Sequence, residues 1–146
     1  MLVNQILSMK ASNEIVTVHP DTLVAEATRI LSERRIGAVV VSEDDGKTAS
    51  GILSERDIVR ALGRNGPEIL NGPIGELMTR KLVTCTTGED ALTILERMTE
   101  GRFRHLPVVN DKGELLGLVS IGDAVSARLK ELHAEKEALT GMIMGA

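Results

Sequence analysis

The sequence predicts an α+β fold built from two β-α-β-β-α repeats packed as one pseudo-two-fold module with a C-terminal helix. Three observations carry this expectation: an internal repeat at a spacing of 67 residues, the same order of strand-like and helix-like segments in each half, and a glycine- and proline-rich stretch between them. Ile15-Val16-Thr17 matches Leu82-Val83-Thr84, Ser32-Glu33 matches Thr99-Glu100, Arg35-Ile36 matches Arg102-Phe103, and Val41 matches Val108. After a one-residue difference in a loop the spacing becomes 66, and Gly51-Ile52-Leu53-Ser54 matches Gly117-Leu118-Val119-Ser120, followed by Asp57 with Asp123, Val59 with Val125 and Ala61 with Ala127.

In the first half, the β-branched run 15–18 predicts a strand. Pro20-Asp21-Thr22 offers a helix start ahead of Val24, Ala27 and Leu31 at helical spacing. The continuous apolar run 36–41 predicts a strand buried on both faces, Glu43-Asp44-Asp45-Gly46 a turn, 51–53 a further strand and 55–62 a helix. The second half repeats this order through 82–85, 89–99, 106–109, a turn at Asp111-Lys112-Gly113, 115–119 and 122–132. The organisation expected is a first repeat over 1–64, a linker over 65–73 within the stretch from Gly63 to Pro73, a second repeat over 74–132 and a helical tail over 133–146. Neither half is long enough to bury a large core alone, so the two should pack together.

Composition narrows the function. The 146 residues are 42% hydrophobic and 26% charged, with a formal net charge of -4; the acidic balance argues against a nucleic-acid protein. Cys85 is the only cysteine, which excludes an intrachain disulfide and a cysteine-based zinc site. His19 and His133 have no second ligand at metal spacing and read as surface residues. No apolar stretch approaches a membrane span and the first ten residues show no signal pattern, so a cytoplasmic location is the default expectation. With no Trp or Tyr, and Phe103 as the one aromatic residue, a planar ligand is expected to be held by aliphatic side chains and backbone.

The sharpest motif is Gly-x-x-Ser-x-x-Asp, at Gly51/Ser54/Asp57 and again at Gly117/Ser120/Asp123. One reading is a capping box, in which Ser accepts from the third helical N–H and Asp reaches back. The other uses the same geometry as a binding site. A helix N-terminus presents free N–H groups and a positive dipole end to an anion, Ser can donate to phosphate, Asp can accept the two hydroxyls of a ribose, and Gly allows close backbone approach. On spacing alone the cap takes precedence.

The segments Gly51-Ile52-Leu53-Ser54-Glu55-Arg56-Asp57-Ile58, Ile74-Gly75-Glu76-Leu77-Met78-Thr79 and Arg104-His105-Leu106-Pro107-Val108-Val109 resemble the signature segments of CBS domains. The resemblance covers nearly the whole chain. The run from Gly117 to Val125 is similar to stand-alone CBS pairs of bacteria and plant organelles. It implies a regulatory, non-catalytic module that binds AMP, ADP, ATP, NAD(H) or S-adenosylmethionine between the repeats and signals to a partner by conformational change. It also implies two sites, carried by Ser54/Asp57 and Ser120/Asp123. Within them Arg104 and His105 at the strand start of the second repeat, and Arg56, are expected on phosphate. That grouping makes the Ser120/Asp123 site the stronger mononucleotide site. Adenine is expected against Val16, Thr17, Val83 or Thr84, with Pro107, Gly37 and Ala38 nearby. CBS pairs often form two-fold dimers through helices, and Val125, Leu129, Leu132, Leu139 and Ile143 make an apolar stripe suited to a homodimer. The competing reading is a ligand-independent interaction module in which both motifs are only caps. No catalytic constellation and no catalytic cofactor are expected.

Overall fold

A computed structural model describes residues 1–10 and 15–144. Helix α1 (Val3–Met9) is followed by β1 (Thr17–Val18), α2 (Val24–Arg34), β2 (Ala38–Val41), β3 (Gly51–Ser54) and α3 (Glu55–Asn65). Two short 3-10 turns (Pro67–Asn71 and Ile74–Glu76) lead to α4 (Ala91–Gly101), β4 (His105–Val109), β5 (Leu115–Ser120) and α5 (Ile121–Ile143). In the first repeat β1 pairs parallel with β2, and β2 antiparallel with β3. In the second, β4 and β5 pair antiparallel. The first strand expected there, over 82–85, is reduced to a single parallel bridge from Cys85 to Val108. Cys85 is buried, and burial pushes its thiol up to about 12.

Each repeat has its own core. Of the apolar run 36–41, β2 takes 38–41, all buried, while Ile36 and Gly37 stay outside the strand and half-buried; Val39 and Val41 pack with Val24, Ala27, Leu31, Leu53 and Ile58. The second core gathers Ile94, Met98, Leu106, Val108, Val119 and Ala124.

The sequence does not foreshadow how the lead-in segments pack. Val3 and Ile6 of α1, which open the first repeat, belong to the core of the second, while Ile74 and Met78, which open the second repeat, belong to the core of the first. Matching hydrogen bonds hold the two exchanges. Val3 N–H donates to Glu89 O and Ile74 N–H to Thr22 O, both at 2.8 Å; Ala91 N–H donates to Met1 O at 3.0 Å and Val24 N–H to Gly72 O at 2.9 Å. This last bond starts α2, because Leu23 at its N-cap offers no side-chain acceptor; the expected cap from residues 20–22 is not formed. Helix α3 extends to Asn65, so Gly63 is helical rather than linker, and α5 runs without a break from Ile121 to Ile143, into the segment expected as a separate tail.

The glycine that opens each motif serves this packing. A Cβ on Gly51 would sit 2.6 Å from Met78 Sδ and 3.0 Å from the Thr79 carbonyl, and one on Gly117 would sit 2.8 Å from Leu7 Cδ2. The space a side chain would fill is taken by the lead-in segment, not left open to a ligand.

Candidate functional site

Two clefts lie between the repeats. The first, about 280 Å³, is lined by the Ser54/Asp57 motif and, across from it, by Lys81, Leu82, Val83, Arg102, Phe103, Arg104, His105 and Pro107 of the second repeat. The second, about 590 Å³, is lined by the Ser120/Asp123 motif and by Lys10, Ile15, Val16, Arg35, Gly37 and Ala38. The clefts are thus built crosswise, each motif facing the strand start of the other repeat. Arg104, grouped by sequence with Ser120 and Asp123, lines the Ser54/Asp57 cleft, and Arg56 stays in the cleft of its own motif. His105 and Gly37 line both clefts. Thr17 and Thr84 line neither: Thr17 Oγ1 lies where a Cβ on Gly46 would touch it, at 3.4 Å, and the Thr84 carbonyl accepts from Arg97 at 3.0 Å. The one aromatic residue does reach a cleft: Phe103 lines the first, over the bare Cα of Gly101, where a Cβ would lie 1.8 Å from its ring.

Both motifs form complete capping boxes. Ser54 N–H donates to Asp57 Oδ2 at 2.9 Å and Ser54 Oγ accepts from Asp57 N–H at 3.3 Å. Ser120 N–H donates to Asp123 Oδ2 at 2.9 Å and Ser120 Oγ accepts from Asp123 N–H at 3.0 Å. Each cap uses Oδ2 alone. Among the described residues nothing bonds to Oδ1 of either aspartate, so the cap and an acceptor for a ligand hydroxyl coexist on one carboxylate.

Sequence reasoning missed Lys10. Its ammonium donates to Leu118 O at 2.8 Å and lies 3.0 Å from Asp123 Oδ2. Burial acts to raise the Asp123 carboxyl; the Ser120 N–H and Lys10 outweigh it and hold the group below the usual carboxylate range. Lys10 and Lys81 are equivalents, both following a lead-in segment, when residues 3–8 are set beside 74–79. His105 responds mainly to its surroundings: burial lowers its tendency to protonate, against Asp123 and Glu55, which favour the charged form.

Arg35 and Arg102, at equivalent positions, end α2 and α4 in the left-handed conformation, with φ of 54° and 57°. Glycine is the residue that meets this conformation without a Cβ penalty. Both arginines sit instead at a cleft wall, one at each, and backbone strain of this kind collects at functional positions.

The CBS-domain profile matches residues 3–64 and 74–130. The chain belongs to the CBS-domain family. It is 36% identical over 128 residues to the mitochondrial CBS domain-containing protein CBSX3 of Arabidopsis thaliana, an alignment covering 86% of this chain and 62% of that protein. A crystal structure of a CBS-domain-containing protein from Agrobacterium tumefaciens superposes with a TM-score of 0.82 at 41% identity, covering 88% of this chain and 99% of that one. A CBS domain protein of Pyrobaculum aerophilum complexed with AMP superposes with a TM-score of 0.74 at 27% identity, covering 84% and 89%. The architecture is therefore that of a CBS pair. Among the described residues no group of three His, Cys, Asp or Glu side chains could hold a metal ion.

Proposed function

We propose that this protein is a regulatory module that binds adenine nucleotide in the clefts between its repeats and transmits occupancy to a partner as a change in how the repeats pack. The observation that carries the reading is the unused Oδ1 of Asp57 and Asp123 at the mouth of each capped helix. A carboxylate oxygen there accepts from a ribose hydroxyl, while the serine and the N-terminal N–H groups suit a phosphate. The AMP complex of the Pyrobaculum relative supports the ligand class. CBS pairs are in general regulatory rather than catalytic, and the proposal includes no reaction.

The placement of Arg104, Arg56 and Arg102 supports a phosphate site in the Ser54/Asp57 cleft rather than in the Ser120/Asp123 cleft expected from the sequence. Val83 and Pro107 lie on the wall of that cleft where the base would rest, with Phe103 beside them. NAD(H) fits the same reading with a second nucleotide half directed at the arginines. A homodimer is part of the proposal: Leu129, Leu139, Met142 and Ile143 of α5 are 59–82% exposed and have no cover within one chain.

The completeness of both capping boxes supports a second reading, in which the motifs serve folding only and the chain is a ligand-independent interaction module. Calorimetry with AMP, ADP, ATP and NAD separates the two. Saturable heat whose first-cleft component is lost in Asp57→Asn and whose second-cleft component is lost in Asp123→Asn, with the melting temperature held to within the effect of a weakened cap, supports the sensor. The absence of heat with every nucleotide overturns it.

A further inference from the structure

The two clefts are a comparison made within one chain. Five cations line the first: Arg56 and Arg60 from α3, and Lys81, Arg102 and Arg104 from the second repeat. Among the described residues none of their side chains makes an ion pair or hydrogen bond. Only Glu55 and Asp57 oppose them there. At the equivalent places around the second cleft the chain has Gly122 for Arg56, Ser126 for Arg60 and Gly37 for Arg104, while Lys10 and Arg35 correspond to Lys81 and Arg102. Lys10 is already committed to Asp123. The pseudo-symmetric cleft is formed without the three extra arginines, so the architecture does not require them. Unpaired like charges converging on one cleft repel each other, and they are relieved by a multiply charged anion.

Resting on the nucleotide reading above, we infer that the Ser54/Asp57 cleft selects its ligand by phosphate number, taking an adenosine diphosphate or triphosphate in preference to the monophosphate, whereas the Ser120/Asp123 cleft does not discriminate. One phosphate at the α3 N-terminus reaches Ser54 and one guanidinium. Each further phosphate extends along the lining to which Arg60 contributes from α3 and Arg102 from the second repeat. Arginine suits this wall because its planar fork can bind phosphate through two parallel hydrogen bonds.

The test is calorimetry of the full chain against adenosine, AMP, ADP, ATP and inorganic tripolyphosphate, for the natural sequence and for the triple variant Arg56→Gly/Arg60→Ser/Arg104→Gly, which installs the second cleft's residues in the first. All three side chains are exposed, and circular dichroism verifies the fold. The natural chain should bind ADP and ATP about tenfold or more tighter than AMP at low salt, with the margin shrinking as salt screens the charges. In the triple variant the three nucleotides should fall within about threefold of one another. AMP binding as tightly as ATP, or a triple variant that keeps the ranking, overturns the inference while leaving the nucleotide reading intact. Tripolyphosphate matching ATP overturns it too, because the cleft would then hold anions without reading a nucleotide. No heat with any nucleotide removes both.

Discussion

Gly51→Ala and Gly117→Ala are the same substitution at equivalent points of the two repeats, and the structure predicts unequal damage. At Gly117 the new methyl meets only the tip of Leu7, at 2.8 and 3.1 Å, on a seven-residue helix that can rotate its side chain or shift. At Gly51 it meets Met78 Sδ at 2.6 Å, which can move, and the Thr79 carbonyl at 3.0 Å, which cannot readily. That carbonyl accepts from Ile52 N–H at 3.0 Å while Thr79 N–H donates to Ile52 O at 2.9 Å, so relief requires breaking a reciprocal pair. Overpacking of a close-packed site costs about 1–3 kcal/mol, which places Gly117→Ala near the bottom of that range and Gly51→Ala near the top. At about 4 °C per kcal/mol for a chain of this size, the melting temperature should fall by about 4 °C and about 10 °C respectively. Thr79 leads directly to the residues 81–83 that line the first cleft, so Gly51→Ala should also weaken nucleotide binding there, while Gly117→Ala should spare it. Melting followed by circular dichroism, paired with calorimetry, reads both effects. Equal losses, or a larger loss for Gly117→Ala, would refute the claim that the backbone contact at Thr79 fixes the lead-in segment.

Three further outcomes are expected. Burial, the largest influence on His105, holds its pKa below the ordinary 6.5; Lys10 and Arg104 act in the same direction, and Asp123 and Glu55 act against it. The ligand-free protein should therefore lose stability below pH 6.5, because the unfolded chain takes up the proton more readily than the folded one, and His105→Gln should lose that dependence in melts followed across pH 5 to 7.5. Arg102→Gly should relieve a left-handed backbone and raise the melting temperature by about 2–4 °C, while weakening nucleotide binding in the first cleft; a variant that melts lower shows that the arginine is not strained. Leu129→Glu/Leu139→Glu, at exposed positions of α5, should convert a dimer to a monomer by light scattering with little change in the fold of each chain; an unchanged mass removes α5 from the interface.

The repeat, the two motifs and the buried apolar strand were legible because each is written in short-range pattern. The run 36–41 reads as a strand from composition, two residues longer at its start than β2 proves to be, and Ser54 with Asp57 reads as a cap from spacing. The crosswise clefts were not legible. Self-similarity shows that Arg104 and Gly37 are equivalents, but not which motif each one faces, since that depends on how the repeats dock. The lead-in segments escaped for a related reason: the bridges from Leu2 to Asp90 and from Leu23 to Pro73 join distant residues that carry no local signal. A second alignment, of residues 3–8 with 74–79, would have paired Lys10 with Lys81 and brought Lys10 into the site.

The exchanged lead-in segments make the two repeats an interlocked pair. Each half borrows the residues that close its core from a stretch lying beyond the other half's boundary, so a cut between residues 65 and 73 would leave the first half without Ile74 and Met78, and the second without Val3 and Ile6. Cooperativity is then a matter of wiring. Neither core can open without releasing a segment that belongs to the chain path of its neighbour, and the 146 residues should melt in one transition. A single repeat, expressed alone with its own lead-in segment, has one natural way to complete its core, which is to trade that segment with another copy of itself.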